Sequence, residues 1–210
     1  ALPHPQLKDS TLHAPASWTA QPTQMLSYTS CHDDHCITDR LKITVPKATD
    51  KELTAYHKLA HTAIFTSQGV PFIFTGDEIM RDKKGVRNSW AGKAIHREAF
   101  DYLKGLIAMR KAHPAFHLGD AELIYKHLEF LDMEDNNVVA FRINGAPNGD
   151  TWKNITVVLN SKNEPASIDV PQGTYQIVCK DGKINPEKGL GSMTGNKLTA
   201  APRSALIVHQ

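Results

Sequence analysis

His32, Asp33, Asp34 and His35 stand side by side, behind the run Ser27-Tyr28-Thr29-Ser30-Cys31. Four neighbouring imidazole and carboxyl groups admit three kinds of chemistry. They could ligate zinc or iron, for which His and carboxylate are good donors. They could hold a loop together by satisfying local amides. Or a carboxylate beside an imidazole could serve sugar chemistry, where an oxocarbenium-like transition state needs nearby negative charge and hydrogen bonds to ring hydroxyls. An extended backbone would put His32 and Asp34 on one side and Asp33 and His35 on the other, a poor spacing for converging metal ligands.

The elements around this cluster follow from pattern. Residues 1–24 hold four prolines and read as coil packed on something else. Residues 25–31 read as a short buried strand and 36–48 as a loop. Thr49-Asp50-Lys51-Glu52 forms a capping box that opens a helix. Its apolar face should carry Leu53, Tyr56, Ala60, Ala63, Ile64 and Ser67, and Gly69 should end it in the left-handed region. Val70-Pro71-Phe72-Ile73-Phe74 is a continuous apolar run of the kind found in parallel strands covered on both faces. Pro71 marks the strand's entry. A polar loop follows at Thr75-Gly76-Asp77-Glu78. Loops at the carboxyl ends of parallel strands are where α/β proteins build their sites. A further helix spans Arg97–Ala112 with Phe100, Leu103, Ile107 and Arg110 on one face, stopped by His113-Pro114.

Beyond residue 118 the texture changes. Short alternating runs at 121–131, 138–143, 152–159, 166–170, 175–179, 197–200 and 205–209 are separated by Asn-Asn, Asn-Gly and Asp-Gly reversals, as in an antiparallel β-sandwich. The fold class expected is therefore α/β followed by all-β, with a boundary between 118 and 119. The strands at 25–31 and 70–74 would keep exposed edges and bare apolar faces unless further strands flank them. Residues 1–118 thus read as part of a larger α/β body.

Composition narrows the function. At 210 residues and 40% hydrophobic content the chain can bury a sizeable core. A balance of 24 basic against 22 acidic residues lacks the basic stripe expected for nucleic-acid or membrane-surface binding. Three cysteines make no disulfide framework: Cys31 reads as a small buried hydrophobe, and a Cys36–Cys179 bridge has no support. Ala1-Leu2-Pro3-His4 lacks the layout of a signal peptide, so a processed or internal start is expected. The compartment stays open, with secretion or the periplasm favoured over the cytoplasm.

The segment Gln24-Met25-Leu26-Ser27-Tyr28-Thr29-Ser30-Cys31-His32-Asp33 resembles the fourth conserved segment of the α-amylase superfamily of glycoside hydrolases, in its type I pullulanase branch. Ile37, Asp39 and Leu41 match the tail of that segment; Thr38 stands where the branch usually has Trp, and Asp34 where it has Asn. The stretch from Thr66 to Glu78 is similar to the superfamily's seventh helix and eighth barrel strand. Arg81 and Lys83, then Asn88, Ser89 and Trp90, resemble two further elements of the branch, and Leu106 to Phe116 its eighth helix. The resemblance implies that 1–118 is the last part of a (β/α)8 barrel, strands and helices seven and eight, and 119–210 the C-terminal β-sandwich. It implies that Asp33 is the carboxylate that stabilises the transition state, with His32, Asp34, Asp39, Arg81, Asn88 and Trp90 as substrate-binding residues. The nucleophile and general acid would come from barrel segments not found here, and Asp77 and Glu78 would shape a loop rather than replace them. The chain alone would then be inactive.

Implied partners are an α-glucan (pullulan, starch or a glycogen-type oligosaccharide) and the remaining N-terminal barrel portion, with no nucleic acid or membrane. No cofactor is implied, and a structural Ca2+ is left open. Between Trp90 and Arg97 only six residues intervene, where the branch usually carries a longer loop. An α-1,4-acting relative and a non-catalytic carbohydrate-binding module with a degenerate site remain the alternatives.

Overall fold

The computed structural model describes residues 19–87 and 96–210; Trp18, Asn88 and Trp90 lie outside the described residues. The first half is built on two very short strands, β1 (Leu26–Ser27) and β2 (Val70–Pro71), paired in parallel. The amides of Val70 and Phe72 donate to Met25 O and Ser27 O (2.8 and 2.9 Å), so the missing N–H of Pro71 falls where the ladder needs none. The expected strands at 25–31 and 70–74 shrink to these two-residue ladders. Each has one strand neighbour among the described residues, and Met25, Leu26, Tyr28, Val70 and Phe72 are exposed. Gly69 is not left-handed. It is required by close approach, since a Cβ there would lie 2.8 Å from Ser27 Oγ and 3.0 Å from Met25 O.

Between the strands run two helices, not one. The expected loop at 36–48 contains α1 (Ile37–Thr44), with Asp39 in its first turn and Lys42 in its last, each suiting the helix dipole. Helix α2 (Asp50–Thr66) opens on the capping box: Thr49 Oγ1 accepts from Glu52 N, and Glu52 Oε2 accepts from Thr49 N. Its buried residues include Leu53, Thr54, His57, Leu59, His61, Thr62 and Phe65, more than the single face expected, because α2 is covered from several sides by α1, by α3 (Arg97–Ala112) and by the β half. In α3 the bounds are those expected but the buried face is Ala99, Tyr102, Leu103, Leu106, Met109 and Arg110; Phe100 and Ile107 face solvent. Arg110 reaches across to α2 and donates to Phe65 O, Ser67 O and Gly69 O (3.0, 2.6 and 2.7 Å). It thereby satisfies carbonyls that a helix end leaves without partners.

The second half begins with a correction. Residues 121–131 are not one strand: Asp120 Oδ1 accepts from the amides of Glu122 and Leu123 and starts helix α4 (Ala121–His127), and only then does β3 (Leu128–Leu131) follow. The other strands are β4 (Val138–Ile143), β5 (Ile155–Asn160), β6 (Ala166–Lys180), β7 (Lys183–Ile184), β8 (Ser192–Ala200) and β9 (Ser204–His209). They form one seven-stranded antiparallel sheet ordered β3-β4-β5-β9-β6-β7, with β8 also on β6. The runs at 166–170 and 175–179 are two parts of β6, separated by a register shift between Asp169 and Gly173. An inner cluster packs Val138, Val158, Leu206 and Val208 against Ile168, Val170 and Leu198, bringing β8 and the first part of β6 over the β4-β5-β9 face.

The other face carries the principal core. Leu59, Phe65, Tyr102, Leu106 and Met109 from the helices pack with Phe141, Ile155, Val157 and Ile207 from the sheet, so one hydrophobic cluster runs across the 118/119 boundary. A buried clasp reinforces it. Asp150 accepts from the amides of Ala115 and Trp152 (both 2.9 Å) and pairs with His113 Nδ1 at 2.8 Å. The Trp152 ring stacks between the rings of His113 and His209.

Candidate active site

The loops that follow β1 and β2, residues 28–36 and 72–87, leave the same end of a parallel pair and are laced together. Asp39, 2% exposed at the start of α1, is the knot. Its Oδ1 accepts from Gly85 N at 2.9 Å and its Oδ2 from Lys83 N at 3.0 Å. Cys36 Sγ lies 2.9 Å from both Asp39 Oδ2 and Arg81 O, and burial together with Asp39 pushes its thiol up. Lys83, also buried, sends its ammonium back to donate to Asp34 O at 2.7 Å and to Arg87 O. His35 Nε2 lies 3.2 Å from Gly85 O. Asp39 and Arg81, expected to bind substrate, lie buried beneath the loops, joined there by Lys83, which is not among the expected site residues.

Asp34 does not continue an extended strand: its φ is 64°, in the left-handed region that Asp tolerates better than most residues. The alternation of sides expected across 32–35 is therefore lost. Its carboxylate accepts from His35 N (2.9 Å) and pairs with Arg40 (3.2 Å) and Arg87 (3.3 Å). The His35 amide first, then Arg87 and Arg40, hold it below the usual carboxylate range. On top of this platform His32 and Asp33 face solvent with 67% and 70% of their side chains exposed, their Nε2 and Oδ2 3.3 Å apart. Such a pair presents an acceptor and an imidazole to whatever enters from outside. Cys31 is half-buried rather than buried, and all three cysteines are free.

Below the platform Ser30 Oγ donates to Asp77 Oδ2 at 2.7 Å, tying the first loop to the 3-10 turn Asp77–Ile79. Burial raises the Asp77 carboxyl to about 6. Glu78 Oε2 accepts from Gly76 N, so both acids serve the turn. The Arg81 guanidinium lies over the Phe74 ring, 4.4 Å from its centre. His57 and His61 sit buried in α2, their imidazoles held below the usual range by desolvation. Among the described residues, no group of three or more His, Cys, Asp or Glu is placed to hold a metal ion. Nor is any described helix long and apolar enough to cross a membrane.

Comparison with known proteins follows the same lines. Residues 124–183 match the family model described as "Pullulanase, all-beta domain". A pullulanase from Bacillus subtilis (strain 168) is 32% identical over 171 residues, covering 76% of this chain and 24% of that protein. The solved structure of a pullulanase from Bacillus acidopullulyticus superposes with a TM-score of 0.84 at 34% identity, covering 91% of this chain and 25% of that one. The chain is pullulanase-like. Another structure, the Paenibacillus barengoltzii pullulanase in complex with maltohexaose and α-cyclodextrin, superposes with a TM-score of 0.79 at 30% identity, covering 94% of the pullulanase-like chain and 31% of its own. The chain thus spans about a quarter to a third of the length of these relatives.

Proposed function

We propose that this chain is part of a starch- or pullulan-debranching glycoside hydrolase that cleaves α-1,6-glucosidic bonds with retention. In this reading residues 1–118 supply the seventh and eighth βα units of the catalytic barrel and 119–210 the β-sandwich behind it. The observation that carries it is the His32–Asp33 pair, exposed on the first of two loops laced together at the carboxyl end of a parallel strand pair. There Asp33 stabilises the positive charge that develops on the sugar, and His32 hydrogen-bonds a ring hydroxyl. The nucleophile and general acid, carboxyl groups about 5–5.5 Å apart in a retaining enzyme, come from the rest of the barrel. Asp39 and Arg81 hold the loops from beneath, and Asp34, Asn88 and Trp90 bind the glucan. The complexes of relatives with maltooligosaccharides support an α-glucan as the ligand. The exposed Leu26, Tyr28, Val70 and Phe72 are where the remaining barrel strands dock.

The test is Asp33→Asn in the enzyme assembled with the rest of its barrel. We expect kcat to fall about 10²-fold or more with little change in melting temperature. Near-full turnover would overturn the assignment. Glucan binding by this chain alone that Asp33→Ala leaves untouched would instead favour a binding module.

A further inference from the structure

We propose that Lys83 is a positioning residue for Asp33, holding the loop that carries it in the conformation the reaction uses. The inference rests on the reading of Asp33 as the transition-state carboxylate. Lys83 is 3% exposed, and a buried ammonium is costly unless its donors are satisfied. Two backbone carbonyls take two of its three donors: Asp34 O, at 2.7 Å, and Arg87 O. The first belongs to the residue next to Asp33. Asp34 is also the residue whose left-handed φ turns the chain and lets His32 and Asp33 emerge together. A backbone so bent needs surroundings that over-determine it. Lys83 supplies the grip from inside, while Arg40 and Arg87 hold the Asp34 carboxylate from outside.

Lys83 is itself fixed. Its amide donates to Asp39 Oδ2, and Gly85, two residues on, donates to Asp39 Oδ1. The line of force runs from the first turn of α1, through the Asp39 carboxylate and the Lys83 side chain, to the carbonyl beside Asp33. An apolar residue could fill the same volume without burying a charge. What it could not do is hold Asp34 O in place. Displacing a reacting group by about 1 Å can cost on the order of 10²-fold in rate.

Two measurements test this. In the 210-residue chain, Lys83→Met should speed amide hydrogen exchange at residues 33–36 at least about tenfold, leaving α2 and β5 within about twofold. Unchanged exchange at 33–36 would overturn the proposal. So would an equal rise in α2 and β5, which would make Lys83 a support of the whole fold. Should the Met variant not fold, Lys83→Leu, which likewise has no donor for Asp34 O, is read the same way. In the assembled enzyme Lys83→Met should lower kcat by about 10- to 100-fold with KM within about threefold. If Asp33→Asn abolishes turnover while Lys83→Met leaves kcat intact, the positioning role fails and the reading of Asp33 stands. If Asp33→Asn keeps turnover, that reading fails, and with it the positioning role in catalysis.

Discussion

Residues 121–210 bury an almost wholly apolar interior, whereas residues 19–118 take charge inside. Among the described residues, five of the six buried Asp, Lys and Arg side chains (Asp39, Asp77, Arg81, Lys83 and Arg110) lie in the first region, and Asp150 alone lies in the second. The first region also holds most of the large apolar residues left at the surface, from Met25 and Leu26 to Phe100 and Ile107. A sheet of seven strands pairs its own backbone and folds β8 and part of β6 over one of its faces, while α2 and α3 cover the other. Two strands of two residues cannot, so the first region fixes its loops with buried ionic and hydrogen-bonded groups and presents apolar surface outward. One region is completed by packing; the other is held by individual polar contacts and leaves apolar side chains at its surface.

The sharpest way to break this contrast is a pair of substitutions. Ile207→Ala in β9 removes a fully buried side chain from the shared core and should cost about 3–4 kcal/mol, lowering amide protection across the sheet. Arg110→Met leaves three carbonyls at the end of α2 without their donor and should cost about 3 kcal/mol, with the loss concentrated at residues 63–72. If denaturation and hydrogen exchange show the two losses spread alike, the regions do not differ in kind.

A smaller effect comes from pH. The Asp77 carboxyl, raised by burial to about 6, favours its neutral form in the folded chain. Its contribution is complete below pH 3.8 and is lost as pH rises through about 6. Asp77→Asn, which cannot ionise, should therefore gain on the parent chain by about 2–3 kcal/mol between pH 4 and pH 7. His57 and His61 act in the opposite sense: depressed by burial, they contribute stability above pH 6.5 that is lost on acidification. They are common to both proteins, so the difference between the two denaturation curves isolates Asp77. A difference that stays flat with pH would remove Asp77 from the account.

The smallest expected change sits on the exposed strand. Leu26→Glu should change the stability of this chain by less than about 0.5 kcal/mol, yet, under the function proposed above, prevent productive assembly with the rest of the barrel. A large loss of stability in the isolated chain would mean that Leu26 already has its full complement of contacts.

Much of this was legible from residues alone. The capping box at Thr49–Glu52 and the His113-Pro114 stop set the beginning of α2 and the end of α3, because each signal is chemical and local. Helix α1 was hidden by β-branched Ile37, Thr38, Ile43 and Thr44, and Cys36 at its cap donates no recognisable cue. Helix α4 did carry one, Asp120, but Leu123, Ile124 and Tyr125 running into a true strand masked it. The outward turn of Phe100 and Ile107 depends on which side of α3 the sheet covers, which periodicity within α3 cannot tell. At the site, His32 and Asp33 were visible by type and order. The burial of Asp39 and the reach of Lys83 to Asp34 were not, since a contact spanning 49 residues leaves no local trace.

The clasp of Asp150 with His113, and of Trp152 between two imidazoles, bears on how the molecule would behave when cut. A protease severing the peptide near Leu118 would open a covalent link without separating the two pieces, because the stacked rings and the common core would still join them. On a denaturing gel the chain would run as two bands; on a sizing column it would still elute as one body.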